Sequence, residues 1–289
     1  MHIDLSYFYR VVLRPLLWLV LAVYFLFVIG LVMLRYAVLP AIDEYRPGIE
    51  RLVGRTLGAP VSIAKVEAEW LGLNPSFELS AVRIADGAGE PVLELPRVYA
   101  ILSWRSLLVL QPRLLRLEID RPRLDARRDE QGRYWVAGRI VDLDADDGSH
   151  DWLAWLLAQR EVSVRDAVLR WDDALRGAPT LEISQIALTL QNVGRRHRAA
   201  LRATPPPHMG STLDVRADFV HGWFTLDPAD PDRWRGSVYA VMDRMELVQW
   251  LPWIDAPGSL QDGTGTLRAW LDYERGRIRS ATARVAVAG

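Results

Sequence analysis

The sequence predicts a mainly β protein hung from one transmembrane helix, and three observations predict it. The run Leu16–Leu34 contains no charged residue. A short segment with helical apolar spacing follows it. From Val61 almost to the last residue, apolar side chains then recur with a period of two, the signature of half-buried strands.

A helix over Leu16–Leu34 is about 28 Å long, close to the thickness of a bilayer's hydrocarbon core. A cleaved signal peptide is the rival reading, but its apolar region is shorter, and the exit Arg35-Tyr36-Ala37-Val38-Leu39-Pro40 offers no small-residue cleavage pattern. A buried core helix is the other rival. An uncleaved anchor fits best, with Leu16, Trp18, Tyr24, Phe25, Phe27 and Leu34 facing lipid. Arginines flank both ends (Arg10 and Arg14; Arg35, Arg46 and Arg51), so the positive-inside count does not orient the helix. The short leading segment is most economically cytoplasmic, which puts about 250 residues on the far side.

Ile42, Tyr45, Ile49, Leu52 and Val53 recur at helical spacing and predict an amphipathic helix over 41–57. Val61 and Ile63 begin the strands. Phe77, Leu79 and Ala81 alternate, and Val82 and Ile84 continue after a one-residue slip that predicts a bulge. Asp86-Gly87 with Gly89 signals a hairpin before Val92–Leu95. Leu115, Leu117 and Ile119 share one face, with Arg116, Glu118 and Asp120 on the other. Asp129–Gly132 is a turn, Tyr134–Val136 restarts a strand, 142–151 is a polar break and Trp152–Gln159 a short helix. Strands resume at Val162–Trp171, Leu181–Leu190, Leu213–Phe219, Val238–Met242, Leu267–Tyr273 and Arg284–Val287, with loops at Thr204–Pro207 and Asp227–Asp232. Each strand has one apolar face that must leave water. Two stacked sheets achieve this, and so does a single curled sheet with something apolar in its concavity; periodicity does not separate them. The final residues still read as strand, which predicts a sheet that continues.

Composition excludes whole classes of chemistry. There is no cysteine, hence no disulfide, zinc ribbon or thiol catalysis. The net charge of −1 gives no global field for nucleic acid. Lys65 is the sole lysine among 35 basic residues, and 12 tryptophans suit half-buried faces and lipid–water boundaries. The five histidines lack ligand spacing. Asp142, Asp144 and Asp146 mimic a calcium loop, but Asp147 stands where the turn glycine belongs and Leu153 where the bidentate glutamate belongs, so the segment reads as a solvated linker. Gly263-Thr264-Gly265 reads as a turn, and Asp172-Asp173 as exposed acids at another. Arg195, Arg196, His197 and Arg198 read as an exposed loop able to meet phosphate head groups. Nothing resembles a nucleophile elbow. No catalytic residue, cofactor or metal is predicted.

Residues 40–84, PAIDEYRPGIERLVGRTLGAPVSIAKVEAEWLGLNPSFELSAVRI, are followed by LSWRSLLVLQPRLLRLEIDRPRLDARRDEQGRYWVAG. With VSVRDAVLRW, the RRHRA stretch and LVQWLPWI after them, the chain strongly resembles the amino-terminal part of YhdP-type proteins of the AsmA-like family. The resemblance implies an elongated, curled antiparallel β-sheet, taco-shaped, with an apolar groove. It implies a non-enzymatic protein anchored in the inner membrane of Gram-negative bacteria, with its bulk in the periplasm. Such proteins take part in phospholipid transport to the outer membrane and in envelope integrity, alongside an inner-membrane partner protein and outer-membrane components. On this reading 1–36 is the cytoplasmic tip and anchor, 37–58 an amphipathic linker helix and 59–141 a first groove module. Residues 142–161 are a polar linker with a short helix, and 162–289 a second groove section. The groove floor is expected at Phe77, Leu79, Leu115, Leu117, Ile119, Ile183, Ile186, Leu188, Leu190 and Leu267. A membrane-anchored scaffold with a closed β-sandwich is the alternative.

Overall fold

The fold is taken from a computed structural model, which describes residues 13–57, 59–85, 91–106, 111, 113–136, 139–141, 149–222, 230–253 and 263–288. Helix α1, Arg14–Met33, starts with proline in its first turn, where the missing N–H costs nothing. It is long and apolar enough to cross a membrane, and none of its most apolar 18-residue window is buried in protein. That removes the core-helix reading. Leu16, Trp18, Tyr24, Phe25 and Phe27 are exposed. Leu34 is half-buried and opens a wider π-type turn, Leu34–Val38, instead of ending the regular helix.

The amphipathic segment divides in two. A 3-10 stretch, Leu39–Tyr45, is kinked at Ala41 and leads into helix α2, Arg46–Leu57. Ile42 and Ile49 pack on a core of Ile63, Val66 and Val82. The same segment caps the free edge of the first strand, β1 (Val61–Leu71). Asp43 Oδ1 accepts the Val66 N–H at 3.0 Å, and Glu50 Oε1 accepts the Ile63 N–H at 2.7 Å. Arg46 donates to the Ala64 carbonyl at 2.7 Å. An open edge presents a ladder of unpaired backbone groups to any passing strand, and here side chains occupy it.

All strands join one 14-stranded sheet. After β1 come β2 (Asn74–Ala85), β3 (Pro91–Leu102), β4 (Leu114–Asp120), β5 (Arg123–Arg128), β6 (Tyr134–Val136) and β7 (Arg139–Val141). Helix α3 (Ser149–Ala158) follows, then β8 (Glu161–Asp173), β9 (Leu181–Val193), β10 (Arg196–Thr204), β11 (Leu213–His221) and β12 (Trp234–Glu246). A single helical turn, α4 (Leu247–Trp250), precedes β13 (Thr264–Glu274) and β14 (Arg277–Ala288). Neighbours are antiparallel except at one place. β4 and β5 pair side by side with successive halves of β8 in parallel, so the sheet is mixed. A parallel pair needs a crossover, and the chain through α3 supplies it. The predicted hairpin at Asp86–Gly89 and the acidic stretch 142–148 lie outside the described residues.

Two readings of the sequence are corrected here. Arg195–Ala199 is not a loop: all but Arg195 belong to β10, where His197, Ala199, Leu201 and Ala203 alternate with Arg196, Arg198, Ala200 and Arg202. Thr264 and Gly265 open β13 instead of forming a turn.

The slip at Val82 belongs to a larger feature. Ser80, Arg97, Asp120 and Arg165 lie in one cross-strand row. In the three strands that run the same way, the residue just past that row is left-handed: Ala81 (φ 51°), Arg121 (φ 52°) and Asp166 (φ 51°). Gln185 (φ 50°) continues the line in β9, and the register shifts again between Met242 and Met245 in β12. Non-glycine residues rarely take this conformation, so its recurrence on neighbouring strands is a built feature. At each site the chain slips by one residue, which keeps Leu79 and Val82, or Val164 and Ala167, on the same side although they are three apart. Bulges bend a strand and sharpen its twist. Aligned across successive strands, they crease the sheet along a line perpendicular to the strands, and the sheet curls about it.

Candidate functional site

The curl concerns function because of what it collects on one face. Following the pairings outward from Leu117 gives a row of Ala68, Phe77, Ala100, Leu117, Val162, Leu190, Ala199, Ala217, Val238, Leu271 and Ala281, running from β1 to β14. The row through Ile119 is Val66, Leu79, Val98, Ile119, Val164, Leu188, Leu201, Val215, Ala240, Ala269 and Ala283. Neither row contains a polar side chain. The row between them, on the opposite face, includes Glu67, Glu78, Tyr99, Glu118, Ser163, Thr189 and Arg216.

The predicted floor residues fall into this frame. Phe77, Leu117 and Leu190 share the first row, and Leu79, Ile119 and Leu188 the second. Ile186 lies opposite Ala167 and Ile183 opposite Leu169, beyond the crease but on the same face. Leu267 pairs with Met242 and Val285. Leu115 sits at the β3–β4 register shift, between Leu114 and Arg116, without a direct partner in that register. Sequence reading passed over the alanines and valines that make the rows continuous, because single small residues in short strands carry little periodic signal.

Accessibility separates the two faces from β9 to β13, whereas nearer the start of the sheet Glu118 and Ser163 on the polar face are buried as well. Every predicted floor residue is half-buried, neither sealed nor open. From β9 to β13 the apolar rows stay half-buried while Gln191, Arg198, Arg202, Arg216, Ser237 and Arg268 on the other face are exposed. The main contacts join hydrogen-bonded neighbours, or β1 and the segment that caps it; no second sheet is stacked over the first among the described residues. A curled sheet with its apolar face on the inside would leave these side chains half-buried without a second layer. The chain exposes 19818 Å² at 32.8 kDa, where a compact monomer of that mass would expose about 12,500 Å².

Polar groups on the concave face sit near the strand ends. At one rim His197 is 3% exposed, with Nδ1 2.7 Å from Asn192 Oδ1 and its ring parallel to Trp234 at 5.1 Å. Asn192 donates its own amide to the Gln159 and Leu156 carbonyls, so its oxygen accepts from a protonated Nδ1. Burial, with His221 stacked beside it, pushes the His197 pKa down to about 4. Phe219 and Tyr273 extend this aromatic wall across Gly236, where a Cβ would stand 2.2 Å from the Asp218 carbonyl and 2.5 Å from the Phe219 ring. At the other rim Arg128 meets Asp173 through two hydrogen bonds of 2.9 and 2.5 Å, beside stacked Tyr134 and Trp171. Asp173 is only 4% exposed, which corrects the reading of Asp172-Asp173 as a solvated turn. Among the described residues no three His, Cys, Asp or Glu side chains gather as a metal site would require.

The concave face thus offers a long apolar surface with charge held to its rims, suited to holding a chain-like apolar ligand. Comparison with known proteins agrees in kind. The family model described as "YhdP protein" matches residues 1–288. A curated relative, the intermembrane phospholipid transporter YhdP of Escherichia coli (strain K12), is 26% identical over 251 residues. That match covers 83% of this chain but 18% of the relative, so the chain spans about a fifth of its length. No solved structure matches. With the family model spanning nearly the whole chain, the chain belongs to the YhdP family.

Proposed function

We propose that this chain is a membrane-anchored section of a periplasmic lipid conduit, in which phospholipid acyl chains lie along the concave face while head groups stay at the rim. The observation that carries the reading is the pair of unbroken apolar rows crossing the sheet. Each methylene of an acyl chain is worth about 0.8 kcal/mol when removed from water. A tail that moves from one row position to the next exchanges one apolar contact for another, so successive positions are nearly equal in energy. Transfer then needs neither a specific pocket nor covalent chemistry, in keeping with a non-enzymatic role. In this reading α1 spans the inner membrane and the bulk of the chain is periplasmic. The lipid travels toward the outer membrane, which supports envelope integrity, and an inner-membrane partner protein and outer-membrane components meet the two ends of the path.

Native purification in mild detergent, with lipid extraction and mass spectrometry, tests it. The parent protein should retain phospholipid, and a folded Leu117→Asp, Leu188→Asp double variant should lose most of it. Lipid no greater than that of an α1-only control would overturn the reading.

A further inference from the structure

The turn after β3 touches the anchor helix inside its apolar stretch, and the first β-hairpin touches it just beyond. The Trp104 ring, in the turn after β3, lies 5.7 Å from Phe27 of α1 and 6.4 Å from Trp70 at the end of β1. Trp104 Nε1 donates to the Leu73 carbonyl at 2.9 Å, which ties that turn to the hairpin tip. Phe27 lies about 10 Å along the helix from Leu34, inside the charge-free run. Arg35, just beyond the run, sits over the Trp70 ring at 5.6 Å. The hairpin tip is therefore level with the end of the anchor and Trp104 is deeper. That tip, Trp70-Leu71-Gly72-Leu73-Asn74-Pro75, carries no charge, and Leu71 and Leu73 are 55% and 70% exposed. Gly72 takes φ 63° to close the turn, and Leu71 pairs with Asn74.

We infer that the β1–β2 tip and Trp104 form a wedge inserted into the bilayer that α1 crosses, seating the first edge of the concave sheet within the lipid leaflet. The occupant around Leu71 and Leu73 is lipid, because Trp104, tied to the tip through the Leu73 carbonyl, packs on Phe27 inside the charge-free run of the helix read as crossing the bilayer. Tryptophan rings suit this boundary, where one end is apolar and the other wet. The wedge gives the conduit an entry at which a tail passes from leaflet to sheet without crossing water. The inference rests on the anchor reading in the proposed function.

The chain has no cysteine, so one environment-sensitive NBD dye can be placed at a time, at Leu73→Cys, Leu26→Cys or Leu175→Cys, the last 51% exposed on a turn after β8. The full chain is reconstituted in phosphatidylethanolamine–phosphatidylglycerol (3:1) vesicles, with and without acyl-chain nitroxide lipid. Dyes at positions 26 and 73 should be quenched at least twofold, and the dye at 175 should respond to aqueous iodide instead. A dye at 73 that behaves like the one at 175, while 26 is quenched, overturns the wedge and leaves the anchor standing. An unquenched dye at 26 overturns both.

Discussion

The two faces of this sheet are made by the same strands, yet they treat charge in opposite ways. On the convex face ion pairs are numerous and mostly wet: Arg196–Asp218 has side chains 52% and 36% exposed, and Arg202 and Arg216 share Asp214, while Glu118, held by an exposed Arg165, is the dry exception. On the concave face Arg128–Asp173 is nearly dry, at 15% and 3%. Exposed pairs are screened and contribute little, whereas a buried pair becomes costly when one partner is removed. The difference teaches that the concave face behaves as an interior although, among the described residues, no second sheet is stacked on it.

The largest test removes one half of the dry pair. Asp173→Ala leaves Arg128 buried without its carboxylate and should cost about 3–5 kcal/mol in chemical denaturation followed by tryptophan fluorescence. Next comes Gly236→Val, which forces a side chain into the Asp218 carbonyl and the Phe219 ring. A loss of about 3 kcal/mol is expected, within the range for overpacked positions. A wild-type stability for this variant would show that β11 and β12 are looser than described.

His197 sharpens the comparison by pH. Its folded pKa, lowered to about 4 by burial and then by His221, lies below the ordinary value of 6.5. Above pH 6.5 both folded and unfolded forms are neutral and stability is at its full value. Between 6.5 and 4 the unfolded chain takes up the proton first, so stability falls by up to about 1.4 kcal/mol per pH unit, about 3 kcal/mol in all. His197→Gln should flatten that slope in the same measurement. The smallest effect belongs to the convex face: Asp218→Asn should cost less than about 1 kcal/mol, and the difference should shrink further in high salt.

How much of this the sequence discloses depends on the residue. The long apolar helix, the amphipathic segment after it and most strands are legible because their apolar patterns are long and regular. The slip at Val82 is legible because Leu79 and Val82 are both large. The same slip at Asp166 and Gln185 is not, since an ordinary polar residue in the left-handed conformation leaves no mark in the sequence. β10 escapes because three basic residues around His197 outweigh the alternation of His197, Ala199, Leu201 and Ala203. The pairing of Asp43, Arg46 and Glu50 with the backbone of β1 is equally silent, because exposed charges on an amphipathic helix need no partner. The crease follows from the aligned bulges, and their alignment exists only once the strands are paired.

The central claim is that lipid lies on one face only, and β9 allows a direct test within a single strand. A photo-crosslinking residue such as p-benzoylphenylalanine is placed in turn at Ala187, Leu188, Thr189 and Leu190, and the irradiated protein is analysed for phospholipid adducts by mass spectrometry. The account predicts adducts at Leu188 and Leu190 and few or none at Ala187 and Thr189. Equal labelling at all four positions, or labelling confined to Ala187 and Thr189, would contradict it.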